Sequence, residues 1–235
     1  MNLVSLAYIA VILVLVLEGV HRGFLRSALN LGAFFVYVII SFLFYPVMSS
    51  SVKNNPSMFD YLFYYTEGAE KIAHFEDTRL LVDGLSQTKL DEVLSASNMP
   101  EPFTSLVRQN VHTQAFAAEG STTLGEYFNM TLVSAVLNIF SFLAVFLIAR
   151  VIFAFVLGSV DYTIQFPELR QYNRTMGALF GFARGLLFCF LIATIIPAVF
   201  LIFPVDKITE FYHSSDIGLF FSNNNIFLHL IRGIV

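Results

Sequence analysis

The chain is built from four long apolar stretches and one long polar one. Asp, Glu, Lys and Arg are absent from Met1 to Leu17, Ser27 to Val52, Tyr127 to Ala149 and Gly185 to Val205, which are 17, 26, 23 and 21 residues long. A membrane helix needs roughly 20 apolar residues, so the pattern predicts four transmembrane helices. The first is expected from about Leu3 to Val20. The second is expected from Phe24 to Tyr45, ended by Pro46, which lacks an N–H and clashes with the preceding turn. The link His21-Arg22-Gly23 is so short that the two helices must form an antiparallel hairpin. The third has a start signal in Thr123-Leu-Gly-Glu126, a capping box. Its apolar run continues through Arg150 to about Val160, too long for one straight crossing at ~1.5 Å per residue. It is expected to tilt strongly or to leave the membrane near Arg150. A polar link of about 161–174 follows, with Pro167 in it. The fourth helix is expected from Thr175 to Ile202, kinked at Pro197. In the tail, 204–235, Ile226 to Ile231 reads as a segment along the membrane surface.

Residues 46–126 differ in character, with five Lys or Arg against eleven Asp or Glu. Leu80, Leu81, Gly84 and Leu85 follow a helical period, with Asp77 as a cap, and so do Leu90, Val93 and Leu94. Pro102 suits the first turn of a helix from Phe103 to about Ala118. Loops are expected near Asn54-Asn55-Pro56 and Asn98-Met99-Pro100. The segment reads as a helical insert of about 80 residues. The predicted fold class is therefore an all-α membrane protein with two transmembrane hairpins, 1–45 and 127–203, around this insert.

Composition narrows the function classes. Charged residues are 13% of the 235, against about 25% in a soluble domain, and mean hydropathy is +0.72. A soluble enzyme of this length would lack material for a polar surface. Net charge is −4, with no basic surface for nucleic acid. Cys189 is the only cysteine, so an intrachain disulfide is excluded and Cys189 reads as a small buried hydrophobe. Trp is absent, leaving tyrosine to supply any aromatic belt at the membrane surface.

Orientation follows from the short links. Arg22 and Arg26 flank the first, and Arg150, Arg170, Arg174 and Arg184 outnumber Asp161 and Glu168 around the second. Positive links stay in the cytoplasm, so the insert and both ends of the chain are expected on the outer side of the membrane. The apolar run starts at once, with positive charge after it rather than before, so it reads as an anchor and not as a cleaved signal peptide.

Gly177, Gly181 and Gly185 recur every fourth residue and line one helix face, which lets another backbone approach closely. That face serves packing within the chain or, in the second use, a homo-oligomeric seam. Gly19-Val-His-Arg22-Gly23-Phe-Leu25 matches Gly181-Phe-Ala-Arg184-Gly185-Leu-Leu187 at four of seven positions, as a tandem duplication of the hairpin would leave it. Arg22, Arg26, Arg174 and Arg184 read as headgroup anchors. Alternatively, Arg22 and Arg184 converge at a cytoplasmic mouth and hold an anionic headgroup or ligand. Glu18, four residues before Arg22, is placed to neutralise the first copy in part, whereas the second copy is expected to have no such partner. Among polar residues within the apolar spans, Asn138 and Asn30 are candidates for hydrogen bonds between helices.

No catalytic or metal site is expected. Glu18-Gly-Val-His21 and Glu210-Phe-Tyr-His213 share the Glu-x-x-His spacing of di-iron bundles, but the topology puts them a membrane apart. His74 and His112 lack a zinc-like spacing. Nucleophile elbows, phosphate loops and dinucleotide fingerprints are missing, and no cofactor is implied.

The segment His21-Arg22-Gly23-Phe24-Leu25-Arg26 after an apolar helix resembles the first hairpin of the colicin V production protein family. Asn173-Arg174-Thr-Met-Gly177-Ala-Leu-Phe-Gly181-Phe-Ala-Arg184-Gly185 resembles the entry to that family's last helix. The resemblance covers about 1–46 and 127–203 and leaves the insert out. It implies a bacterial cytoplasmic-membrane protein linked to peptide-toxin production or export and to the cell envelope. The reading is then a non-enzymatic membrane component whose partners are membrane lipid, envelope or export proteins and, where the glycine face forms a seam between chains, further copies of itself. The second reading is a small oligomeric channel or transporter with an arginine-lined cytoplasmic mouth.

Overall fold

The computed structural model describes residues 2–97, 99–158, 173–203 and 206–235. Asn98 and most of the link about 161–174, including Asp161, Pro167, Glu168 and Arg170, lie outside the described residues. The α-helices are α1 (Leu3–Arg22), α2 (Phe24–Lys53), α3 (Pro56–Thr66), α4 (Gln87–Ala96), α5 (Phe103–His112), α6 (Leu124–Gly158), α7 (Asn173–Ile202), α8 (Asp206–His213) and α9 (Asp216–Asn223). Four of them, α1, α2, α6 and α7, are long and apolar enough to cross a membrane. The chain is an all-α membrane protein.

The second helix does not stop at Pro46. It runs eight residues beyond Tyr45, about two turns, to Lys53, with the proline inside it. Losing one backbone hydrogen bond costs less, in apolar surroundings, than exposing all those a helix end leaves open. Serine hydroxyls bond back just after the proline, Ser50 Oγ to the Val47 carbonyl at 3.0 Å and Ser51 Oγ to the same carbonyl at 2.8 Å. α7 likewise continues through Pro197. The chain falls into two compact units, and both prolines mark a boundary between them.

The first unit comprises 1–45, 142–196 and 204–225. Gly185 lies against Ile12, Gly181 against Leu15 and Val16, and Gly177 against Gly19. The numbers run in opposite directions, so α1 and α7 are antiparallel. Phe24 packs on Phe180 and Phe34 on Phe188, with ring centroids 5.4 and 5.2 Å apart, so α2 and α7 run the same way. α1 and α2 therefore form the expected antiparallel hairpin. Its link is a single residue, Gly23, at φ +78°, a conformation that glycine adopts without strain. Phe34, Tyr37, Phe142 and Phe146 fill the core, while Leu13, Val14, Leu17, Phe35, Ile39, Val151, Ile152 and Phe155 stay exposed and suit lipid. The tail contributes α8 and α9, which its short polar interruptions hid from the hydropathy pattern. Tyr8 on α1 stacks on Phe221 of α9 at 5.1 Å, and Ser5 Oγ and Ser215 Oγ are 2.8 Å apart.

The second unit comprises 46–141, 197–203 and 226–235. Leu80 to Leu85 are not helical. Leu81 forms an antiparallel bridge with Thr123, the Val82 amide donates to the Thr122 carbonyl at 2.9 Å, and the Leu124 amide donates to the Leu80 carbonyl at 2.8 Å. Asp77 caps nothing there and instead pairs with Lys89 at 3.2 Å. Hydrogen bonds from Lys89 to Asp77 and then Glu92 hold its ammonium above the ordinary lysine pKa. The helix in this region is α4, capped by Ser86, with Leu90, Val93 and Leu94 buried as its period predicts. α5 starts after Pro102, which sits one position outside the first turn, and ends at His112, short of Ala118. The capping box forms: Glu126 Oε2 accepts from the Thr123 amide at 2.9 Å, and the Glu126 amide donates to Thr123 Oγ1 at 3.4 Å.

From Thr131 to Ile139 every side chain of α6 is buried, and on the turns before that one side of the helix is. Leu124, Tyr127, Phe128, Leu132, Val133, Ala135, Val136 and Ile139 are all buried, and a helix apolar all round is what a core demands. In the segment Ile226 to Ile231, Phe227, Leu228 and Ile231 are buried while Ile226 and Leu230 stay exposed, and its only helical turn is the short 3-10 turn Leu228–Leu230. Beyond them the backbone is irregular, and its carbonyls need donors. Asn138 Nδ2 donates to the Arg232 and Ile234 carbonyls at 2.7 and 3.0 Å. Asn110 Nδ2 donates to the Gly233 carbonyl and to Thr131 Oγ1, both at 2.9 Å. Asn138 thus bonds to an extended segment and not to another helix.

Replacing Asn138 by Val should lower stability by about 1–3 kcal/mol, because two carbonyls lose their donor inside the protein. Thermal unfolding in detergent should show a lower midpoint, and residues after Asn225 should be cut faster by protease. Ser95→Ala, on the exposed side of α4, is the reference. An equal response in the two variants would show that Asn138 does not anchor the segment.

Candidate functional site

The predicted glycines and two of the predicted arginines meet in the first unit. A Cβ on Gly19 would fall on the Gly177 carbonyl, one on Gly177 on the Gly19 carbonyl, and one on Gly181 on the Leu15 carbonyl. At Gly185 the Cβ would lie 3.1 Å from Ile12 Cα. All four positions therefore hold α1 and α7 at backbone contact, the packing available to membrane helices without a hydrophobic drive. The glycine face is used within the chain.

Asn173, which the spacing did not single out, closes this seam at one end. A Cβ on Gly23 would meet Asn173 Nδ2 at 2.6 Å. Asn173 Oδ1 accepts from the Phe24 amide at 2.7 Å, so the first residue of α7 caps the start of α2. Asparagine is a strong capping residue by type, but here it caps a helix far away in sequence, which a local motif cannot reveal.

Glu18 sits between the two arginines of the repeated pattern. Its Oε1 meets Arg22 Nη2 at 2.8 Å, and its Oε2 pairs with Arg184 Nη2. Arg184 therefore has an acidic partner after all, one supplied by α1 rather than by its own helix. The arginines are unequal: the Arg184 side chain is 10% exposed and that of Arg22 40%. Arg22 and Arg150 both lie within electrostatic range of Arg184, and the Arg150 guanidinium stands 5.2 Å over the Phe188 ring. One carboxylate thus bridges two guanidiniums, and a third, that of Arg150, lies near Arg184. Arg184 Nε is buried and has no hydrogen-bond partner among the described residues. Arg26 and Arg174 are exposed. Asn30 Nδ2 is buried and unpartnered among the described residues, so it supplies no bond between helices there.

The two copies of the Gly-Arg-Gly pattern differ in conformation. Gly23 breaks the chain between α1 and α2, whereas Gly185 continues α7, which begins at Asn173. The second copy thus lies inside its helix, as the expected span from Thr175 to Ile202 requires. Its residues serve the first copy as a packing partner.

The remaining chemistry is dispersed. Asn2 Nδ2 donates to the Phe211 carbonyl and to Ser214 Oγ, which places Glu210 and His213 near the start of α1. Glu18 and His21 are at its other end, ~24 Å away at the helical rise. Among the described residues no three His, Cys, Asp or Glu side chains gather to hold a metal. Cys189 is buried, as expected, with Sγ 3.8 Å from the Tyr8 carbonyl.

Glu18→Gln should destabilise the protein by about 3 kcal/mol or more, because it leaves Arg184 buried without its counter-charge. Arg22→Gln should cost under about 1 kcal/mol, since that side chain reaches solvent. Equal shifts of the unfolding midpoint in detergent would refute the bridging role. Gly181→Leu should impair assembly more than Leu186→Ala, because bulk on the seam separates two backbones; equal detergent stability of those two variants would count against the seam.

Residues 111–225 match the family model described as Colicin V production protein. The span includes Gly177, Gly181, Arg184 and Gly185 and leaves out the first hairpin that supplies Glu18 and Gly19. No curated protein and no solved structure matches the chain. The resemblance carried by Asn173 to Gly185 is therefore found independently: over residues 111–225, just under half of its length, the chain matches the Colicin V production protein family.

Proposed function

We propose that this protein is a non-enzymatic component of a bacterial cytoplasmic membrane that supports the production or export of a peptide toxin and the upkeep of the envelope. The family match suggests that context. The observation that carries the mechanistic part is the Glu18 bridge beside the glycine seam. It closes α1 on α7 at backbone contact and leaves no spare length between these helices for a water path. It also favours a binding role over catalysis: a buried arginine with an unspent Nε donor and a neighbouring Arg150 suit an anionic phospholipid headgroup. In this reading Arg22 and Arg184 hold the α1–α7 pair together, Arg26 and Arg174 anchor to headgroups, and the insert faces outward to meet envelope or export proteins. No cofactor or nucleic acid takes part.

The channel reading needs Arg184 to line an open mouth, and its ion pair with Glu18 works against that. Two measurements test the proposal together. Deleting the gene in a toxin-producing host should lower secreted toxin, with recovery on complementation by the intact chain and less by Glu18→Gln. The purified protein in liposomes should pass ions no faster than protein-free liposomes do. Flux that disappears with Arg184→Ala would replace this reading by the channel.

A further inference from the structure

The second unit carries an aromatic face that its own core leaves unused. α3 starts only two residues after α2 ends. Thr66 is buried and Phe59, Leu62 and Phe63 are half-buried along one side of α3. On the other side Met58, Tyr61, Tyr64 and Tyr65 are 55%, 67%, 67% and 42% exposed. The rings are already assembled, with centroids 4.8 Å apart for Tyr61 and Tyr65 and 5.3 Å apart for Tyr64 and Tyr65. The hydroxyls of Tyr61 and Tyr65 are 3.5 Å apart, too long for a good hydrogen bond. They remain available to other acceptors.

Three facts identify what covers this face. The first is position. α2 has 30 residues, or ~45 Å at the helical rise, which matches the ~40–45 Å of a bilayer with its headgroups. Its end at Lys53 therefore emerges at headgroup level, and Asn54 and Asn55 reach only about 7 Å further. The second is chemistry. Tyrosine offers an apolar ring and a polar tip, the combination enriched where hydrocarbon meets water, and the chain has no Trp to share that task. The third is size. Three partly exposed tyrosines and a methionine present roughly 400 Å², about half of what one partner contributes to a stable protein interface. By itself the patch is too small to hold a second copy in a stable dimer.

We propose that α3 lies on the membrane surface with Met58, Tyr61, Tyr64 and Tyr65 seated in the interfacial zone of the bilayer. The helix then fixes the depth at which α2 leaves the membrane. Asp60, on the exposed side, faces the aqueous edge of that zone.

The absence of tryptophan makes the test direct, because one introduced indole is the only one in the chain. The full-length Tyr64→Trp protein is placed in phosphatidylcholine vesicles, with and without bromine on the acyl carbons nearest the glycerol. The expected result is a loss of emission with the brominated lipid and poor quenching by aqueous iodide. Tyr61→Trp should behave alike and guards against a local packing effect at one position. Leu43→Trp, on the exposed side of the α2 span, reports separately whether α2 is inserted, through bromine placed deep in the acyl chain. With Leu43→Trp quenched, emission of the α3 indoles that ignores bromine and falls with iodide overturns the proposal, and so does emission that ignores both quenchers, which would mean a protein cover.

Discussion

Backbone contact between α1 and α7 is the constraint on which the first unit depends. Lipid tails are as apolar as the side chains that face them, so helices gain little by hiding leucines from each other. What they gain is dispersion and short-range electrostatics, both of which fall steeply with distance. Glycine at positions 19, 177, 181 and 185 brings the helix axes as near as backbones permit. That approach in turn sets the reach of Glu18. Its carboxylate touches Arg22 on its own helix and Arg184 across the seam, which a wider separation would prevent. The seam and the ion pairs are one device: the glycines set the distance and the carboxylate sets the register.

A second constraint acts along the helices. Away from water every backbone group needs a partner inside the protein. This explains why Pro46 and Pro197 sit within helices instead of ending them. It also explains Asn173 and Asn138, which donate or accept where the chain is irregular. Asn173 supplies the cap that α2 cannot draw from Gly23, and Asn138 supplies donors to two carbonyls near the end of the chain. In both cases an amide side chain stands where a helix or turn runs out of its own hydrogen bonds.

These constraints also decide what could be read in the sequence. The four long helices, the short first link, the capping box at Thr123 and the role of the glycine face follow from period and spacing, which are local. The partner of Arg184 is not legible, because local spacing pairs charges four residues apart on one helix, whereas this acid, Glu18, is on α1. Leu80 to Leu85 have a helical spacing of leucines, yet pairing with the segment before α6 took them out of helix. α8 and α9 were missed because helices of eight residues are too short to impose a pattern. The repeat Gly19 to Leu25 against Gly181 to Leu187 is legible as similarity, but similarity alone does not tell a break from a continuing helix; the spacing of the apolar stretches does, and the φ of +78° at Gly23 marks the break.

The apolar stretch from Tyr127 to Ala149 shows where hydropathy stops being informative. Hydropathy records what a residue avoids, and both lipid and a protein core satisfy the same avoidance. Along α6 the two environments follow one another. From Thr131 to Ile139 every side chain is buried, while Leu147, Ile148, Val151, Ile152 and Phe155 are exposed on the later turns. The length of α6, ~52 Å for 35 residues against ~30 Å of hydrocarbon, is therefore no contradiction. Part of the helix is apolar because protein surrounds it. The polar residues separate the two cases: Thr131, Ser134 and Asn138 are buried on the enclosed part, where Thr131 and Asn138 have hydrogen-bond partners in the second unit, and the exposed turns from Leu147 to Phe155 carry one polar side chain, Arg150. A polar residue inside an apolar run is thus the better marker of protein contact, and the run's length is the poorer marker of a membrane crossing.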